Sequence, residues 1–344
     1  MTPLGIVFVA SLVASLALTP LVRRLCIRVG LVDRPRPGEL QKWVVARGGG
    51  YALIAAFTVG VGISFLTVAR GDEEEWTRLL GFGIGMLAII PIAVLDDRFR
   101  LGPRPQLIGQ IVAATLPIPF GLYITDIALP SGAILALPLY VAYPVTIVWV
   151  VGMINTLNWL DTMDGLATGV AGIAALVLLV RSVTLGQVSV AVLPLALTAV
   201  CLGFLPYNFN PARVFMGTSG SMFLGYSLAL LAIFGGAKIA TALMVLGLPI
   251  IDTALVIVQR VAAGRSPFQG GDSAHLAHQL AHRGWTVRQV ALAAYTVCAL
   301  FGFGGLVLSG QYKAWLFTMI VILVVAIAFL LTQRVRPQKP TTDD

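Results

Sequence analysis

The sequence predicts an all-α protein, a polytopic membrane helix bundle of about eleven transmembrane helices with its N-terminus outside and its C-terminus cytoplasmic. Three observations carry that expectation. Of 344 residues, 58% are hydrophobic and only 11% charged, against about 25% charged in a soluble domain. Apolar runs near the roughly 20 residues that cross a bilayer recur along the whole chain. The basic residues gather on alternate loops, the pattern of a chain whose cytoplasmic loops carry its lysines and arginines.

The apolar segments cover roughly residues 3–22, 48–69, 79–95, 107–124, 134–154, 166–183, 187–205, 219–235, 239–258, 287–309 and 314–332. No charge precedes the first, and Arg23 and Arg24 follow it, so it reads as a retained span rather than a cleaved leader. The third and sixth are the weakest. After the fourth, "TDIALPSG" suits a short β-hairpin outside the membrane. The acidic run "DEEE" at 72–75 reads as a solvated loop. Residues 1–332 form one membrane domain, and 333–344 a cytoplasmic tail without fixed structure. Cys26, Cys201 and Cys298 are far apart, each in or at the end of an apolar run. That is the pattern of small packing residues, not of a metal or disulfide framework.

Orientation follows from the loops. Arg23, Arg24, Arg28, Arg34, Arg36, Lys42 and Arg47 share the first, and Arg98, Arg100 and Arg104 the third. Arg260, Arg265, Arg283 and Arg288 share a later one, and Arg334, Arg336 and Lys339 lie in the tail. The positive-inside rule places all of these in the cytoplasm. The formal charge of +8 then reflects loops facing anionic lipid and anionic substrate rather than nucleic acid. The polar clusters "VLDDRFRLGPRPQ", "NTLNWLDTMDG", "PYNFNPARVFMGTSGS" and "GRSPFQGGDSAHLAHQL" all fall on this same face, which points to a single cytoplasm-facing site.

Ionisable groups at a membrane edge are costly and mark function. Asp96 and Asp97 end an apolar span. Asn155, Asn158, Asp161 and Asp164 recur every third residue, on adjoining faces if the segment is helical. Oxygen-bearing side chains gathered in this way suit a hard cation such as Mg²⁺, which commonly helps to bind phosphate. "MGTSGS" stands before an apolar run, where free N–H groups at a helix start would accept an anion. His275 and His278 can face one ligand, with Arg260 and Arg265 near them to hold phosphate oxygens. Each cluster alone also has a plain structural reading: a solvated helix end, a turn and cap, a loop histidine.

Taken together, the four loops resemble the polyprenyl-phosphate N-acetylhexosamine-1-phosphate transferases. That family carries a "DD" pair after a span, then N-x-x-N-x-x-D-G-x-D-G-L-A, then Y-N-x-x-P-A-x-x-F-M-G-D-x-G-S, then a His-rich loop. Asp96–Asp97, "NTLNWLDTMDGLA", "YNFNPARVFMGTSGS" and "GRSPFQGGDSAHLAHQL" match it over nearly the whole chain. The last loop is similar to the GlcNAc-1-phosphate type and lacks the "PLHHHFE"-like run of the peptidoglycan translocase. The resemblance implies transfer of an N-acetylhexosamine-1-phosphate from a UDP-sugar to undecaprenyl phosphate. UMP is released, and the step initiates a cell-envelope polysaccharide at the bacterial inner membrane. It implies Mg²⁺ as cofactor, with Mn²⁺ as an alternative, and allows a homodimer. Asp96, Asp97, Asp161 and Asp164 are then the catalytic candidates and Asn158 a metal ligand. Asn155, Asn208, Arg265, His275 and His278 are the substrate-binding candidates.

The chain departs from the family pattern at named positions. Thr218 stands where the family has its metal-binding aspartate, and Thr162 replaces a glycine. Glu39 replaces a basic residue, Gln41 a histidine, and Val44 and Ala46 two prolines. A second reading keeps the fold without the catalysis: a degenerate homologue binding lipid phosphate or acting as a scaffold. A third, a transporter, would need its charges near the membrane centre, whereas these sit at span ends.

Overall fold

The computed structural model describes residues 2–35, 43–69, 71–128, 133–234, 239–266, 275–308 and 311–333. Glu39, Gln41 and the tail beyond 333 lie outside the described residues. The chain forms α1 (Pro3–Arg28), β1 (Val32–Asp33), β2 (Val45–Arg47), α2 (Gly49–Thr67), α3 (Glu73–Phe99), α4 (Pro103–Thr115), β3 (Asp126–Ala128) and β4 (Ile134–Ala136). It continues as α5 (Leu139–Leu160), α6 (Leu166–Thr184), α7 (Val188–Asn208), β5 (Val214–Phe215), α8 (Gly217–Ile233), α9 (Ile239–Val245) and α10 (Gly247–Ala262). It closes with α11 (Leu276–His282), α12 (Val287–Val307) and α13 (Gln311–Gln333). This is a polytopic, all-α membrane protein.

Each apolar segment of the sequence holds a helix. Among the described residues, eight helices are long and apolar enough to cross a membrane. The pair α9 and α10 adds a ninth if its 77° bend is one broken span. The sequence reads residues 239–258 as a single run, but the helix breaks at Leu246. Pro249 lacks an N–H and crowds the carbonyl four residues back, on Val245, and Gly247 weakens the helix further. The remaining two segments form shorter helices: α4, of 13 residues, and α8, of 17.

Two expectations change here. "DEEE" is not a loop but the start of α3. Asp72 caps it by accepting from the Glu75 N–H at 2.9 Å, and three glutamates in the first turn suit the positive end of the helix dipole. Glu75 is buried, and its carboxylate accepts from Ser189 Oγ at 2.6 Å and from the Gly71 N–H at 3.0 Å. The second change is a small sheet at the site end of the bundle. β1 pairs antiparallel with β2 (Val32↔Ala46), and β2 pairs parallel with β5 (Ala46↔Val214). The hairpin expected in "TDIALPSG" is present as β3 and β4, with Ile127 opposite Leu135.

The bundle is built around α8, every residue of which is buried, as expected of a helix apolar on all sides. Small residues let its neighbours come close. A Cβ on Gly225 would lie 2.6 Å from the Ile154 Cα, so α5 and α8 pack with backbones near contact. Ser11, Ser15 and Thr19 form a buried polar stripe along α1, and Ser15 Oγ donates to the Val200 carbonyl of α7 at 2.8 Å. Val13, Leu87, Val148, Phe303 and Ile322 point outward and are exposed, as suits surfaces that meet lipid. This packing brings the end of α3, the end of α5, the start of α8 and the sheet to one place.

Candidate active site

A cleft of about 690 Å³ opens at that end of the bundle. Asp33, Trp43 and Arg47 line it from the sheet region, and Asn158, Asp161, Thr162 and Asp164 from the turn between α5 and α6. Asn208, Asn210, Gly217, Thr218 and Ser221 also line it, as do His278 and His282 of α11.

The "DD" pair ends α3 and is buried. Asp97 accepts the Thr218 N–H at 2.7 Å and the Ser219 N–H at 3.1 Å. Its Oδ1 also faces Arg47 Nε at 3.5 Å. The sequence suggests that the free N–H groups of "GTSGS" would receive an external anion. In the structure this chain's own carboxylate receives them, because α3 delivers Asp97 to the start of α8. Gly217 makes this possible: it has φ +72°, and a Cβ there would lie 2.6 Å from Asp97 Oδ1. Asp96 accepts from Gln106 Nε2 at 2.7 Å and from the Thr218 hydroxyl at 2.5 Å. Thr218 in turn accepts from Arg47 at 3.5 Å. It therefore sits between a carboxylate and a guanidinium, satisfied by both.

The three-residue spacing of Asn155, Asn158, Asp161 and Asp164 does not yield one cluster. α5 ends at Leu160, so only the two asparagines are helical, and a three-residue step drifts around the helix. Asn155 turns to α4, donating to Gln110 Oε1 at 2.6 Å, and is not among the cleft-lining residues. Asn158 donates to Ser221 Oγ at 2.8 Å, leaving its carbonyl oxygen unused among the described residues. Asp164 pins the loop before β5, its Oδ2 accepting from Asn210 Nδ2 at 2.8 Å and the Ala212 N–H at 2.9 Å. Asp161 lines the cleft, and no hydrogen bond reaches its carboxyl group among the described residues. Although it keeps some solvent contact, burial pushes its pKa up to about 7; Arg47 opposes the shift, while Asp97 and Asp164 add to it. Thr162 is exposed on the cleft wall, and its backbone is not left-handed, so the glycine it replaces is not required for conformation here.

Asn208 lines the cleft with its polar ends already engaged: Thr168 Oγ1 donates to it at 2.6 Å, and its Nδ2 donates to the Val214 carbonyl at 3.0 Å. His275 is buried behind the wall against Asp252, while His278 faces the cleft. Burial first, then the His275 and His282 charges, hold the His278 imidazole below its ordinary value, against the pull of Asp252. Arg265 is exposed and stands outside the cleft lining.

Sequence reasoning missed three residues. Arg47 counted only as a loop charge. His282 lies four residues beyond His278, a spacing that shares a helix face and was readable. Asp252 is a lone acid inside the apolar run "LPIIDTALVIV", itself a signal of function.

Among the described residues, no three His, Cys, Asp or Glu side chains gather into a metal-binding group. Mg²⁺ commonly takes only one or two protein carboxylates and completes its shell with water and substrate phosphate. The unengaged Asp161 carboxylate and Asn158 carbonyl are hard oxygen donors of that kind.

Fold and cleft define a class: a polytopic membrane protein with a cleft at one end of the bundle lined by carboxylates, an arginine and histidines. Residues 79–236 match the family described as Glycosyl transferase family 4. A relative from Bacillus subtilis (strain 168), named "Probable undecaprenyl-phosphate N-acetylglucosaminyl 1-phosphate transferase", is 31% identical over 93% of this chain and 88% of its own. A "Decaprenyl-phosphate N-acetylglucosaminephosphotransferase" from Mycolicibacterium smegmatis is 30% identical over 82% of this chain and 76% of its own. An "Undecaprenyl-phosphate alpha-N-acetylglucosaminyl 1-phosphate transferase" from Yersinia pestis is 26% identical over 92% and 87%. The chain belongs to the glycosyl transferase family 4, within its polyprenyl-phosphate GlcNAc-1-phosphate transferase branch.

Proposed function

We propose that this enzyme transfers N-acetylglucosamine-1-phosphate from UDP-GlcNAc to undecaprenyl phosphate, with its cleft facing the cytoplasm of a bacterial inner membrane. The relatives support the transfer, and give no support to a degenerate homologue. The observation that carries the site assignment is the meeting in one cleft of the unengaged Asp161 carboxylate, Asn158, the Arg47 guanidinium and two histidines.

An oxygen of the acceptor phosphate forms a bond to the sugar-bearing phosphorus of the donor. The bond from that phosphorus to the bridging oxygen breaks, and UMP leaves with that oxygen. The acceptor is a phosphate monoester, already largely ionised at neutral pH, so positioning and charge neutralisation outweigh base catalysis. Arg47, partly exposed beside Thr218, supplies positive charge to phosphate oxygens. His278 and His282 present imidazoles to the donor. Asp97 holds the start of α8, and Asp164 holds the loop before β5, so both act by fixing the cleft wall. Asp161 and Asn158 would hold Mg²⁺, which when bound offsets the negative charge of the diphosphate.

About eleven spans follow if α4 and α8 also cross, with the shorter helices sheltered by their neighbours. The loop charges set the N-terminus outside and the C-terminus inside. The test of function is UMP release by purified protein, which should require UDP-GlcNAc, undecaprenyl phosphate and Mg²⁺ together. Release independent of the lipid acceptor would contradict the assignment.

A further inference from the structure

The most elaborate polar cluster outside the cleft lies behind its histidine wall. Asp252 projects from α10, and one of its oxygens lies 2.8 Å from His275 Nδ1. The other accepts the Leu276 N–H, the first of α11, at 2.9 Å. His275 and Asp252 are largely shielded from solvent, with side-chain exposures of 6% and 16%. The His275 ring stands 6.5 Å from that of Trp159, and the Arg260 guanidinium lies over the Trp159 ring, 5.0 Å from its centroid. Trp159 is the residue after Asn158 in α5.

A carboxylate facing Nδ1 fixes that nitrogen as the protonated one, and so fixes tautomer and ring orientation. The same carboxylate holds the opening N–H of a helix too short to be stable alone. α11 has seven residues, and its placement rests on contacts of this kind. His278 and His282 are four apart on it, share a face and both line the cleft. Asp252 does not line the cleft, yet it holds the start of the helix that carries both imidazoles.

We propose that Asp252 is a positioning residue for the nucleotide-sugar side of the cleft, acting through His275 and the first turn of α11 to aim His278 and His282. The inference rests on the transferase reading for the identity of that ligand, but not for the brace itself. Asp252→Asn keeps the shape and one acceptor oxygen while removing the charge. It should raise KM for UDP-GlcNAc about tenfold or more. KM for undecaprenyl phosphate and kcat should stay within about twofold, because the acceptor and the reacting phosphates meet other residues. Asp252→Glu should recover part of the loss. Combining Asp252→Asn with His278→Ala should cost less than the two losses together, since both remove the same contact. In the absence of any substrate, amide exchange in residues 276–282 should quicken in Asp252→Asn.

Equal rises in both KM values would mark general loosening of the fold and overturn the proposal, as would a fully additive double variant. If wild-type protein releases no UMP, the transferase reading fails separately. The brace then stands or falls on exchange: unchanged protection of 276–282 in Asp252→Asn would overturn it.

Discussion

Replacing Asp97 by asparagine tests how the start of α8 is held. The carboxylate accepts two backbone N–H groups, at 2.7 and 3.1 Å, and faces Arg47 at 3.5 Å from a buried position. Asparagine has nearly the same shape, but its single oxygen can satisfy only one of the two N–H groups. Its amide N–H₂ then faces the other donor and the guanidinium. Hydrogen bonds to a charged acceptor contribute about 1.5–3 kcal/mol each, and a buried donor left unsatisfied costs about 1–3 kcal/mol. Arg47 keeps partial solvent contact, so its lost pairing adds little once water screens it. The sum is a loss of about 2–4 kcal/mol, enough to lower Tm by several degrees. The shift also moves Thr218 and Ser221, and with Ser221 the asparagine that it holds. UMP release should therefore fall about a hundredfold or more, the scale of losing one preorganised charge contact. Thermal unfolding in detergent and initial-rate UMP release, measured on one preparation, give both numbers. A variant with wild-type Tm and wild-type rate would refute the reasoning.

Three further outcomes are expected. Thr218→Asp sets a second carboxylate where a hydroxyl now donates to Asp96 at 2.5 Å, so the variant should unfold earlier in EDTA and gain more Tm from Mg²⁺ than wild type does. Identical Mg²⁺ titrations of the two proteins would show that position 218 does not face the cation. Asp161 has its folded pKa raised to about 7, above its unfolded value, so metal-free folded protein binds the extra proton. Its contribution to stability should then decline as pH rises from about 4 to about 7 and level off above. Asp161→Asn should remove that slope, so wild type should lose Tm relative to the variant between about pH 5 and pH 7.5; parallel Tm curves would contradict the assignment. For topology, an impermeant thiol reagent on intact cells should label a cysteine at Glu74 and spare one at Gln269, since acidic Glu74 and the arginine-rich later loop fall on opposite sides by the charge rule; the reverse pattern would invert the bundle.

The fold was legible where one segment carries its own reason. Apolar length alone gives α1, α2, α5, α6, α7, α12 and α13. The cost of polar groups at a membrane edge marks Asp96, Asp97, Asn158, Asp161 and Asp164. What stayed hidden depends on partners far away in sequence. The strands β1, β2 and β5 have two or three residues each, too few for any alternation to show, and they exist by pairing across the chain. "DEEE" looks solvated until Ser189, more than a hundred residues on, is seen to hold Glu75. Nothing local tells that Asn155 faces Gln110, or that Asp97 fills the anion site its own chain offers. The break at Leu246 and the acid at Asp252 were readable, from Pro249 and from a lone charge in an apolar run.

The central claim is that phosphate travels with the sugar. Donor labelled with ³²P in its sugar-bearing phosphate, incubated with purified protein, Mg²⁺ and undecaprenyl phosphate, tests it directly. The label should move into a lipid-extractable diphosphate while unlabelled UMP appears in equal amount. Label retained in released UDP, with sugar alone on the lipid, would contradict the account.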